Sequence, residues 1–167
     1  MLKLELAAMA IAGSVAAATT SGPTGAWEIA DNASEPQPRP WDYSATLKAT
    51  KGAELYVSCG ASGTSLWINW PGEVRADSSD RRTAFVTWAL DGQGARKTAF
   101  LVGKDDLGNA GTHLAPASAL KWFGALEAGK TLVVRVGAGP GGQTATFHLK
   151  GVRVVAATFN ARNCGAR

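Results

Sequence analysis

The sequence predicts an α+β fold, mostly antiparallel β: a compact β-sandwich-like domain with a short middle helix and a C-terminal helix. Three observations predict it. Short runs alternate apolar and polar residues and are separated by glycine, proline and Asp-Gly punctuation. The apolar period lengthens to a helical one in only two places, around Leu120 and again after Val152. The chain's two cysteines, Cys59 and Cys164, stand near opposite ends of this patterned region.

The strand signals come first. From Ala53 to Cys59, the residues Ala53, Leu55, Val57 and Cys59 share one face, and Glu54, Tyr56 and Ser58 the other. Gly60-Ala61-Ser62-Gly63 reads as a turn. Leu66, Ile68 and Trp70 line the next strand, which Pro71-Gly72 ends. Ala84, Val86, Trp88 and Leu90 line another, and Asp91-Gly92-Gln93-Gly94 signals a hairpin into a strand over Thr98 to Val102. Between Pro116 and Gly129, Leu120, Phe123 and Leu126 recur at three-residue spacing, with Ser118 placed to cap a helix and Gly129 to stop it. Thr131 to Val136 and Thr144 to Leu149 read as two strands joined by the glycine run Gly137 to Gly142. Val152, Val155, Ala156 and Phe159 then form an i, i+3, i+4, i+7 stripe leading to Cys164.

Residues 1–18 read as a secretory signal peptide. Lys3 supplies a positive start, Leu6 to Ala18 is apolar but shorter than the ~20 residues of a bilayer-spanning helix, and Ala16-Ala17-Ala18 offers a cleavage site. Residues 19–40 read as a Pro-rich N-terminal tail or linker, with Pro36, Pro38 and Pro40 alternating and Trp27 as a residue able to dock on the domain. Residues 41–167 form the single β-rich domain. In an exported chain, two lone cysteines suggest one disulfide, Cys59 to Cys164; two separately buried thiols are the alternative. Such a bridge would close a loop of about 105 residues, for which chain-entropy estimates give roughly 4–5 kcal/mol.

The composition excludes several function classes. The formal net charge is +4, yet the arginines and lysines are scattered and form no basic helix or stripe, which argues against nucleic acid as a partner. Gly137 to Gly142 matches G-x-G-x-x-G, but a strand rather than a helix follows it, so no dinucleotide fingerprint results. Zinc would have to draw on Cys59, His113, His148 and Cys164, none of them closely paired, so no metal and no other cofactor is expected. Nucleophilic catalysis would have to use His113 or His148, and no Gly-x-Ser-x-Gly elbow is present. His148 alternates with Phe147 and Leu149 and is expected to face solvent; His113 is expected in a loop. Of the six tryptophans, Trp70 and Trp88 share faces with apolar neighbours and read as core. Trp67 lies on the opposite face of its strand and, with Tyr56, is the candidate binding surface.

Leu55-Tyr56-Val57-Ser58-Cys59, Leu66-Trp67-Ile68-Asn69-Trp70, Leu132 to Val136, Thr144 to Gly151 and Cys164, in that order, resemble the VasI/TagO family of exported proteins associated with type VI secretion. The resemblance spans roughly residues 41 to 164, and the closing strand–Gly–helix–Cys block is its most distinctive part. It brings no catalytic residues and transfers only Cys59 and Cys164, as a structural pair. The expectation is a non-catalytic periplasmic or secreted accessory protein that binds a protein or a cell-envelope component, without stable membrane insertion. A small envelope hydrolase using a His/Asp site and a secreted inhibitor or immunity-type protein are the alternatives.

Overall fold

A computed structural model of the chain describes residues 26–31, 43–60, 63–74, 82–103, 113–137, 142–161 and 164. The segment read as a signal peptide and the alternating prolines lie outside these residues. Among the described residues, nine strands form one antiparallel sheet: β1 (Glu28–Asp31), β2 (Tyr43–Lys48), β3 (Glu54–Gly60), β4 (Gly63–Asn69), β5 (Thr83–Leu90), β6 (Arg96–Gly103), β7 (His113–Pro116), β8 (Thr131–Val136) and β9 (Gln143–His148). Their spatial order is β1-β2-β3-β4-β7-β6-β5-β8-β9. Helix α1 (Ala119–Glu127) follows β7, and α2 (Val152–Ala161) follows β9. The architecture is the predicted one: a compact, sandwich-like antiparallel β domain with a middle and a C-terminal helix.

The sheet has two halves, β1–β4 and β5–β9. They join through a short β4–β7 ladder, in which Ile68 faces Leu114 and Asn69 faces His113. Strict alternation sends one face of both halves into a single apolar core. Leu47, Leu55, Val57, Ile68, Val86, Phe100, Leu114, Leu132, Val134 and Phe147 are all fully buried there. Both helices pack on this inner face. Trp122 of α1 sits edge-on to Phe100, with ring centroids 5.1 Å apart, and against Trp88 at 4.8 Å. Phe159 of α2 meets Phe123 of α1 at 5.5 Å and Tyr43 of β2 at 5.2 Å.

The local chemistry explains the boundaries. Ser118 is the N-cap of α1; its hydroxyl accepts from the Lys121 amide at 3.4 Å. The buried residues of α1 are Trp122, Phe123 and Leu126, whereas Leu120 is 50% exposed. At about 100° per residue, Leu120 falls roughly 110° round the helix from the stripe centred between Trp122 and Phe123, while Phe123 and Leu126 lie on it. In α2 the buried residues are Val152, Val155, Ala156 and Phe159, the four of the helical stripe.

At the β5–β6 hairpin, Asp91 (φ 52°) and Gly92 (φ 71°) are both left-handed, the combination a type I′ turn demands. The Asp91 carboxylate also accepts from the amides of Lys130 and Thr131, each at 2.7 Å, and so fastens this hairpin to the start of β8. Gly129 is required for a different reason: a Cβ there would lie 2.6 Å from Cγ of Leu90.

Cys59 and Cys164 are disulfide-bonded, with Cα atoms 5.6 Å apart across a sequence separation of 105. Thr64 on β4 donates to the Cys164 carbonyl at 2.9 Å, and the Cys164 amide donates to the Phe159 carbonyl at 3.0 Å. The segment after α2 is thereby fixed to β3 and β4.

Two features extend beyond the sequence reading. Strand β1 falls inside the segment read as a tail: Glu28 to Asp31 pairs with Thr46 to Tyr43, and Trp27 is buried against the core. Four residues are too few to display an alternation, and pairing partners are supplied by β2 rather than by local sequence. Likewise His113, expected in a loop, opens β7 and pairs with both β4 and β6.

Candidate functional site

The register of three strands places the candidate surface. Tyr56 on β3 lies directly opposite Trp67 on β4, and both point away from the core. Their rings stack, with centroids 4.1 Å apart and planes 27° from parallel. The other side of the Trp67 indole meets the His113 imidazole at 4.8 Å and 32°. Tyr56, Trp67 and His113 thus form a continuous ring row across β3, β4 and β7 on the outer face of the sheet, each side chain half-buried. Cross-strand aromatic pairs of this kind add about 0.5–1.5 kcal/mol beyond their area, and the paired backbone beneath holds the row rigidly. Asn69, opposite His113, has a buried side-chain oxygen that takes no hydrogen bond within the described residues.

Both residues of the predicted surface, Tyr56 and Trp67, are brought together here. His113 completes the row, a role that sequence reasoning missed. The only available signal was the alternation His113-Leu114-Ala115, too short to recognise beside Gly111-Thr112.

The remaining candidates separate. His148 is exposed on β9, four strands away from β7 in the sheet order, so the two histidines do not converge. Cys59 and Cys164 are bonded to each other, which removes them as metal ligands and as nucleophiles. Val136 faces Gln143 across β8 and β9, so the Gly137–Gly142 run connects two antiparallel strands, not a strand to a phosphate-binding helix. Trp70 and Trp88 are core residues whose indole N–H groups are satisfied, by Gln143 Oε1 at 2.6 Å and Thr98 Oγ1 at 3.0 Å respectively. The Trp70–Gln143 bond links the residue following β4 to β9, beside an open cleft of about 430 Å³ lined also by Lys51, Pro71 and Thr144. No helix among the described residues is long and apolar enough to cross a membrane.

No known protein family, curated protein or solved structure matches this chain.

Proposed function

We propose that the chain is a non-catalytic, exported binding protein, an accessory factor of the kind the VasI/TagO resemblance implies for type VI secretion. The observation that carries this reading is the Tyr56–Trp67–His113 row. It offers amphipathic rings at a fixed spacing on a rigid sheet, and buried aromatic anchors are the residues that dominate protein recognition. The stack sets the His113 ring against the Trp67 indole, which extends the contact surface across β7. Support for export comes from the disulfide, which persists in oxidising compartments, and from the signal-like first residues.

The test is affinity capture from a periplasmic extract by wild-type protein and by Trp67→Ala, run beside a turnover assay on cell-wall substrates. The expected result is one stoichiometric partner that Trp67→Ala fails to retain, with no turnover. Turnover that disappears on substituting His113 and His148 would replace this reading with that of an envelope hydrolase.

A further inference from the structure

The two edges of the sheet are built differently. Strand β1 is four residues long, carries Glu28 and Asp31, and sets Glu28 against Lys48 in an ion pair. Short, charged strands are the form in which sheet edges avoid further pairing. Strand β9, Gln143-Thr144-Ala145-Thr146-Phe147-His148, has none of these devices. It holds no Asp, Glu, Lys, Arg or Pro, and its register with β8 runs without a bulge. Among the described residues it pairs on one side only. The Leu149 amide donates to the Lys130 carbonyl at 2.8 Å, and these two residues continue the β8–β9 register. Antiparallel alternation therefore turns the backbone groups of Gln143, Ala145 and Phe147 toward β8, and those of Thr144, Thr146 and His148 toward the far edge. No backbone group among the described residues bonds to that edge.

We propose that two copies of the chain pair through β9, antiparallel about a two-fold axis at Thr146, so that the sheet continues from one molecule into the next. Self-pairing has to meet two conditions at once. Outward-directed backbone must face outward-directed backbone, and inner-face side chains must stay on the inner face. A register centred on Thr146 meets both and engages the whole strand, whereas centring on Thr144 or His148 uses only part of it. Thr146 then faces the second copy's Thr146, and Thr144 faces its His148. Every outward N–H and C=O of Thr144, Thr146 and His148 gains a partner. On the inner face, Phe147 lies opposite the second copy's Ala145, a large side chain against a small one in both directions. On the outer face two threonine hydroxyls meet, a cross-strand pair able to hydrogen-bond. The strand carries no charge, so no like charges oppose one another. This two-fold match singles out a second copy over an unrelated extended peptide. The inference rests on β9 and not on the Tyr56–Trp67–His113 row.

Sedimentation velocity over a concentration series of the purified, disulfide-bonded protein tests it. The expected result is a reversible monomer–dimer equilibrium. Thr146→Pro removes the central outward amide of each copy without touching the β8 ladder, and is expected to abolish the dimer. Thr146→Lys sets two ammonium groups opposite each other across the axis, and is expected to weaken dimerisation by about fivefold or more. Circular dichroism checks that both variants are folded. Register is read separately by cross-linking single-cysteine additions. Thr146→Cys places the two thiols opposite one another, whereas Thr144→Cys leaves them four residues, about 14 Å, apart along the paired strands. A bismaleimide shorter than that span is expected to link Thr146→Cys and not Thr144→Cys. A monomer at every concentration, a dimer that both Thr146→Pro and Thr146→Lys leave intact, or equal cross-linking of the two cysteine variants overturns the proposal.

Discussion

The outer faces of β2–β3–β4 and of β6–β5–β8 belong to one sheet and obey the same alternation, but their side chains are arranged differently. In the first half, neighbouring strands complete one another: Tyr56 stacks on Trp67, Trp67 on His113, and Lys48 pairs with Glu28. In the second half, the described outer row is Lys97, Thr87, Arg135 and Thr144, with Lys97 over the Phe85 ring and no stacked ring pair among its described residues. The difference is one of composition, since pleat and pairing are common to both. It gives the first half a shaped, rigid row of stacked rings.

The largest perturbation of this arrangement is the disulfide, which ties β3 in the first half to the residue following α2. Breaking it, by reduction or by Cys59→Ser with Cys164→Ser, is expected to cost about 4–5 kcal/mol on chain-entropy grounds. A lower urea midpoint with a larger m-value, since the unfolded chain expands once the cross-link is gone, would establish it, and thiol titration of the native protein should find no reactive groups. Next is Gly129→Ala. Its Cβ would press on Leu90, and overpacking of this kind costs about 1–3 kcal/mol; Leu90→Ala in the same chain should recover part of the loss. Asp91→Ala removes the acceptor of two amide hydrogen bonds and leaves a side chain in a left-handed conformation. Thermal melting should register about 1–2 kcal/mol, with the β5–β6 and β8 amides exchanging faster. The smallest effects contrast the two faces directly. Trp67→Ala should cost at least about 1 kcal/mol through lost stacking, whereas Phe85→Ser should cost less, because its ring is 45% exposed. Equal costs at the two positions would erase the energetic distinction between the halves.

Much of this fold was legible because its elements carry long local signals. The stripe Val152, Val155, Ala156, Phe159 returned as the buried face of α2, and the alternation Leu55, Val57, Cys59 fixed the inward direction that the disulfide requires. Asp91-Gly92 revealed its hairpin, since few residues other than glycine, asparagine and aspartate tolerate that backbone. Its second role, capping the start of β8, was not legible, because Lys130 and Thr131 lie far along the chain. Strands β1 and β7 escaped for the same reason: each is four residues long and owes its conformation to pairing partners. For the surface, alternation alone placed Tyr56 and Trp67 on the outer side. That they are directly opposite, and that His113 joins them, depends on register across three strands.

The most direct test compares the two faces by partner capture, measured for Trp67→Ala and for Phe85→Ser. The account predicts that Trp67→Ala loses the partner while Phe85→Ser keeps it. Loss of the partner in both variants, or in neither, would contradict it.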